Sequence, residues 1–173
     1  LNDVDAARLS LACEIVRTVA ASQSNELADW AQKSGCFLAG LDIATLLADL
    51  HVDSDCLIAG IVYRAVREER LSIDEIQEQF GSNVVDLVNG VLRMAAIGGL
   101  SSHTAKPVLG QADDQKDNIR KMLISLVDDV RVALIKLAER TCAIRAVKSD
   151  DLRRRDIAQE VFDVYAPLAH RLG

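Results

Sequence analysis

Asp53-Ser-Asp-Cys-Leu-Ile-Ala-Gly-Ile-Val-Tyr-Arg-Ala-Val-Arg67 is the stretch that decides the fold. Leu57, Ile58, Ile61, Val62 and Val66 recur three and four residues apart, which predicts a helix with one buried stripe. Asp53 stands before it as an N-cap, because its carboxylate can accept from the first free amides. Working upstream, Leu41 to Leu50 is apolar-rich and reads as a helix, while Gly35 and Gly40 break the pattern between Gln32 and Gly40. Val4 to Ala20 repeats Leu9, Ala12, Cys13, Val16 and Val19 at helical spacing. Downstream, Ser72-Ile-Asp-Glu75 is a capping box that opens a short helix ending near Phe80-Gly81.

Val84 to Ile97 follows as a helix with Val88, Val91 and Leu92 inward. Gly98-Gly99 through Gly110, with Pro107, then predicts a long loop, and long loops are often functional contacts. Asp113-Asp114 opens a further helix, with Met122, Leu123, Leu126 and Val127 on its inner face. Asp129 to Val147 is the next helix, and Asp150-Asp151 begins the last, which runs to Pro167. No strand alternation, βαβ rhythm, internal repeat or low-complexity tract occurs. The expectation is an all-α bundle of about eight helices.

The composition agrees. Of 173 residues, 50% are hydrophobic and only 3% aromatic, so the core is built from Ala, Leu, Val and Ile. That balance excludes a disordered chain. No apolar run reaches the roughly 18 residues of a membrane span. The four cysteines, Cys13, Cys36, Cys56 and Cys142, form no CxxC pair, and the three histidines are scattered, which argues against a disulfide framework or a zinc site. Reduced buried thiols and a cytoplasmic setting are expected. The formal charge is −6, but residues 1–110 carry −7 and residues 111–173 carry +1. The one dense basic cluster, Arg153 to Arg155, reads as a solvated helix face, and with few aromatics to stack bases no direct nucleic-acid contact is expected.

Composition stops at an all-α domain, and a resemblance carries the rest. Phe80-Gly81, Asn118-Ile-Arg-Lys-Met122, Asp129-Val-Arg-Val132, Lys136-Leu-Ala-Glu-Arg140 and Tyr165-Ala-Pro-Leu-Ala-His-Arg-Leu-Gly173 resemble the N-terminal HD-type domain of long RelA/SpoT proteins, which make and degrade (p)ppGpp. The resemblance covers residues 32–173 and leaves 1–31 as an N-terminal helical segment. It implies an HD-domain-like bundle. In active members this domain removes the 3′-pyrophosphate with a divalent metal such as manganese. The ligands are an early His, a His-Asp pair and a later Asp, a set that holds an ion with open positions for water.

Carried over residue by residue, that set is lost here. The early His position falls on Ala39, with Gly40 as its alternative if the preceding loop is shorter. The His-Asp pair falls on Tyr63-Arg64, and the later Asp falls on Glu139. The acidic pair that activates water becomes Arg67-Glu68, the following Asn becomes Ala143, and the nucleotide-contacting Arg becomes Gln32 ahead of Lys33-Ser34-Gly35. The resemblance therefore implies a degenerate hydrolase domain with no catalytic residue, metal or cofactor of its own. Arg64 is expected to fill the vacated space and pair with Glu139, or with Glu68 four residues along.

Arg93-Met94-Ala95-Ala96-Ile97, Val127-Asp128-Asp129 and Leu137-Ala138-Glu139-Arg140 resemble the monofunctional synthetase branch of the family. The implied role is regulatory. The partner would be a synthetase domain of the same chain, acting as a GTP pyrophosphokinase in the stringent response, with the ribosome reached only through other regions. Three alternatives stay open: a divergent (p)ppGpp 3′-pyrophosphohydrolase with a rebuilt site; a module binding a guanosine nucleotide through Lys33, Arg67, Arg140 and Arg145; and a dimerisation unit.

Overall fold

A computed structural model describes residues 2–21, 30–103, 129–147 and 151–166. The described residues form helices α1 (Asp3–Ala21), α2 (Trp30–Asp49), α3 (Ser54–Arg67), α4 (Ile73–Phe80), α5 (Ser82–His103), α6 (Val130–Ala146) and α7 (Asp151–Glu160), and α7 passes into a π-helical turn at Val161–Tyr165. There is no strand among them. No described helix is long and apolar enough to cross a membrane.

Helix α3 is the hub. It packs on α2, α5, α1 and α6. Its start is fixed as expected, with the Asp53 carboxylate accepting from the Cys56 amide at 2.8 Å. The single stripe needs correcting, because every residue from Cys56 to Ala65 is buried. Gly60, Tyr63 and Arg64 lie off the stripe and are enclosed anyway, since helices cover α3 on several sides; a helix surrounded in this way buries its whole circumference.

Gly40 and Gly60 allow α2 and α3 to approach. A Cβ on Gly40 would sit 2.4 Å from the Ile61 carbonyl oxygen, and one on Gly60 would sit 2.8 Å from Leu47 Cδ1. Gly40 is thus a packing residue inside α2 and not the break that the sequence predicts there. The break is at Gly35, whose φ of 71° interrupts α2 and lies in the region that favours glycine.

The Ser72–Glu75 capping box forms on both sides, as expected. Beyond it, α5 continues to His103, so residues 98–103 of the predicted loop are helical. Gly98 and Gly99 weaken a helix by only about 1 kcal/mol each relative to Ala and forbid nothing. The rest of that loop, the helix predicted from Asp113, and the tail after Ala166 lie outside the described residues. Helix α6 starts at the Asp129 N-cap, which accepts from the Arg131 amide at 2.9 Å. Arg131 also reaches Asp53 at 2.6 Å, tying the N-termini of α6 and α3 together. Arg8 similarly holds α1, bridging Asp55 at 2.8 Å and the Phe80 carbonyl oxygen at 3.1 Å. Ala12 and Val16 of α1 are part of the common core.

Candidate functional site

Where the last turn of α3 meets α6, three buried charged side chains, Lys136, Glu139 and Arg64, converge with the more exposed Arg67. Lys136 and Glu139 face inward from α6, three residues apart and thus on one face of the helix. Glu139 is 1% exposed, Lys136 0% and Arg64 3%, so none of the three has bulk water to balance its charge. The Lys136 ammonium donates to Glu139 Oε2 at 2.5 Å. Arg67 Nη1 donates to Glu139 Oε1 at 3.1 Å. Arg64 Nη1 lies 3.6 Å from the same oxygen. Both oxygens of this buried carboxylate are therefore held by cations.

A second carboxylate anchors the outer side. Glu68 receives Arg64 Nη2 at 3.1 Å and Arg70 Nε at 3.0 Å. The two pairings foreseen for Arg64 occur together, because its two terminal nitrogens reach different carboxylates. Tyr63 is fully buried, its hydroxyl accepts from Arg67 Nη1 at 3.4 Å, and the Lys136 ammonium stands 5.9 Å from its ring centroid.

The electrostatics follow from the burial. Burial alone would push the Glu139 carboxyl up, but the charges of Lys136, Arg140 and Arg67 outweigh it and hold the group down at about 2. Lys136 is pushed down to about 8 by burial, against the upward pull of Glu139. Tyr63 is raised to about 12, first by burial and then by Glu139, and so stays a neutral phenol. At neutral pH the cluster is a charged carboxylate among cations.

Such a set does not suit a divalent ion. Ala39 is fully buried and Ala143 is 1% exposed, and neither carries a ligand atom. Tyr63 is protonated, Arg64 is a permanent cation, and Glu139 has no free oxygen. Among the described residues no group of three or more His, Cys, Asp or Glu side chains comes together.

A family profile described as HD domain matches residues 12–173. The chain belongs to the HD-domain family. This HD domain is 45% identical over 135 residues to a GTP pyrophosphokinase of Photobacterium angustum, covering 78% of the chain and 18% of that protein. It is 38% identical over 135 residues to the GTP pyrophosphokinase of Escherichia coli K12, again 78% of the chain and 18% of the relative. It is 35% identical over 133 residues to the bifunctional (p)ppGpp synthase/hydrolase SpoT of the same organism, 76% of the chain and 18% of the relative. The HD domain thus spans less than a fifth of the length of these curated relatives.

The HD domain gathers Tyr63, Arg64, Arg67, Glu68 and Glu139 into one cluster. Arg140 is close enough for its charge to act on Glu139, Arg67 and Lys136. Arg145 is exposed and six residues past Glu139, which turns it about 240° around α6 and away from the cluster. The side chains of Gln32 and Lys33 lie outside the described residues. Lys136 is the member that sequence reasoning passed over as a site residue. Its signal was present: a lysine in an otherwise apolar stripe, three residues before a glutamate on the same stripe.

Proposed function

We propose that this HD domain is a catalytically inactive, (p)ppGpp hydrolase-like regulatory domain of a RelA-type GTP pyrophosphokinase. The observation that carries the reading is the state of Glu139. It is the one carboxylate left at the four positions that the family resemblance assigns to metal, and Lys136 and Arg67 hold its two oxygens. Replacing an acid by Arg67 also removes a group that would activate water and substitutes one that cannot accept a proton near neutral pH. In this reading the coupled losses leave the two remaining carboxylates of the cluster, Glu68 and Glu139, engaged by cations and not free to activate water.

The names of the relatives and the small share of their length that the chain covers support a parent protein in which the pyrophosphokinase chemistry belongs to another domain. In this reading the synthetase domain of the same chain is the partner. The HD domain's interior charges tie α3 to α6, so in this reading forces on one helix pass to the other. Ribosome contact and a cytoplasmic setting belong to the parent protein. A relative from Haemophilus influenzae, 35% identical over 133 residues, is named a guanosine-3′,5′-bis(diphosphate) 3′-pyrophosphohydrolase, so the competing outcome is real turnover.

The test is incubation of the chain with guanosine 3′,5′-bis(diphosphate) and excess manganese, with GDP separated by ion exchange. The reading expects no GDP above a metal-only blank. Chain-dependent release of GDP and pyrophosphate would replace it with the hydrolase.

A further inference from the structure

Helix α1 packs on α2 and α3 while α4 packs on α5, and a groove opens between α1 and α4. Leu71, Ile76 and Phe80 are buried at its floor, and exposed Leu11 and half-buried Ile15 form its α1 wall. Its volume is about 280 Å³, below the roughly 300–1,000 Å³ of small-molecule sites, which suits a protruding side chain better than a drug-sized ligand. The rim is acidic. Glu75 and Glu78 line it, both exposed, and no Lys or Arg does. The nearby Arg8 is turned to Asp55 and to the Phe80 carbonyl oxygen.

The other end of the chain carries the complement. On α7 and its π-helical turn, Ile157 and Val161 pack against the core. Leu152, Arg155 and Phe162, spaced three and seven residues apart, share the opposite side. Leu152 is 74% exposed and Phe162 76%, the two highest values for large apolar side chains among the described residues, and Arg155 is exposed between them. An aromatic anchor beside a cation matches a small apolar groove with a carboxylate rim in size and in sign. The chain thus holds both halves of one interface on different faces, as self-association requires. We propose that a second copy of this chain docks here: Phe162 of one copy enters the groove between α1 and α4 of the other, with Arg155 set against Glu75 and Glu78. The two faces differ, so the contact closes as a two-fold dimer when each α7 enters the other's groove. Neither face includes a residue of the α3–α6 charge cluster, so the proposal stands whether or not the domain hydrolyses nucleotide.

The test is sedimentation equilibrium of the 173-residue chain in reducing buffer, from micromolar to millimolar concentration. The apparent mass is expected to rise with concentration from one chain toward two. Phe162→Ser should weaken association by at least about tenfold, the worth of burying one large apolar side chain. Phe162 is exposed in the single chain, so this variant keeps the fold. Leu50→Ser, another exposed apolar side chain, lies on neither face and should leave association unchanged. Glu78→Arg and Arg155→Glu each set like charges face to face and should each weaken association several-fold. An equimolar mixture of those two variants should regain the association of the parent chain, because opposite charges then meet at both contacts. A chain that stays single up to millimolar concentration overturns the proposal. So does association that Phe162→Ser leaves intact, or a mixture that associates no better than its two components.

Discussion

Replacing Glu139 by Gln removes the charge on which Lys136, Arg67 and Arg64 converge while keeping the shape of the side chain. Removing one partner of a buried ion pair destabilises by about 3–5 kcal/mol. The amide oxygen of Gln can still accept one hydrogen bond, which returns about 1 kcal/mol. The net loss is therefore about 2–4 kcal/mol. At about 2–4 °C per kcal/mol for a chain of this size, Tm falls by roughly 4–16 °C. The pH dependence gives a sharper signature. Glu139 raises the Lys136 pKa, so without it the ammonium sheds its proton below the present value of about 8. In the variant the folded state then binds fewer protons than the unfolded state over a wider range, and stability rises with pH across it. The deficit against the parent chain should narrow as the pH is raised toward 8. Thermal unfolding followed by circular dichroism between pH 6 and pH 9 reads both quantities. A Tm loss under about 2 °C at pH 7, with a gap that does not change with pH, would refute Glu139 as the anchor of the cluster.

Three further outcomes follow from the same structure. The Glu139 carboxyl is held at about 2 against an ordinary 4.5, so it contributes stability above pH 4.5 that is lost as the pH falls toward 2; at 1.36 kcal/mol per unit this is about 3 kcal/mol, read as an acid limb in urea melts that Glu139→Gln lacks. Gly40→Ala should destabilise by about 3 kcal/mol, because its Cβ meets the Ile61 backbone at 2.4 Å, whereas Gly35→Ala, with nothing nearby and only an unfavourable φ, should lose about 1–2 kcal/mol; chemical denaturation separates the two. Iodoacetamide at pH 8 should label half-buried Cys13 well before Cys56 and Cys142, whose thiols burial pushes up to about 12 and about 11, and peptide mass spectrometry would order them.

The local signals that proved legible are those whose physics is local. Asp53, Ser72 and Asp129 each cap the helix that follows them, because a side-chain oxygen near a free amide needs no tertiary partner. The full burial of α3 was not legible, since its periodicity shows one stripe while its other faces are covered by helices brought together from distant sequence. Gly40 misled for a related reason: a glycine in a helix reads as a breaker until the backbone packed against it is seen. At the site, the resemblance marked Tyr63, Arg64, Arg67, Glu68 and Glu139, and the structure joins them. Lys136 escaped notice because a buried lysine is intelligible only with its partner, and spacing on one helix does not say which face becomes the interior.

Internal cations saturate Glu139, and manganese binding tests that most directly. Metal-freed chain is titrated with manganese chloride, and free ion is measured by electron paramagnetic resonance at room temperature. The expected signal grows as in buffer, with no stoichiometric uptake up to millimolar manganese. Uptake of one ion per chain at micromolar concentration, lost in Glu139→Gln, would contradict it, because it would mean that Lys136 and Arg67 yield the carboxylate to a metal.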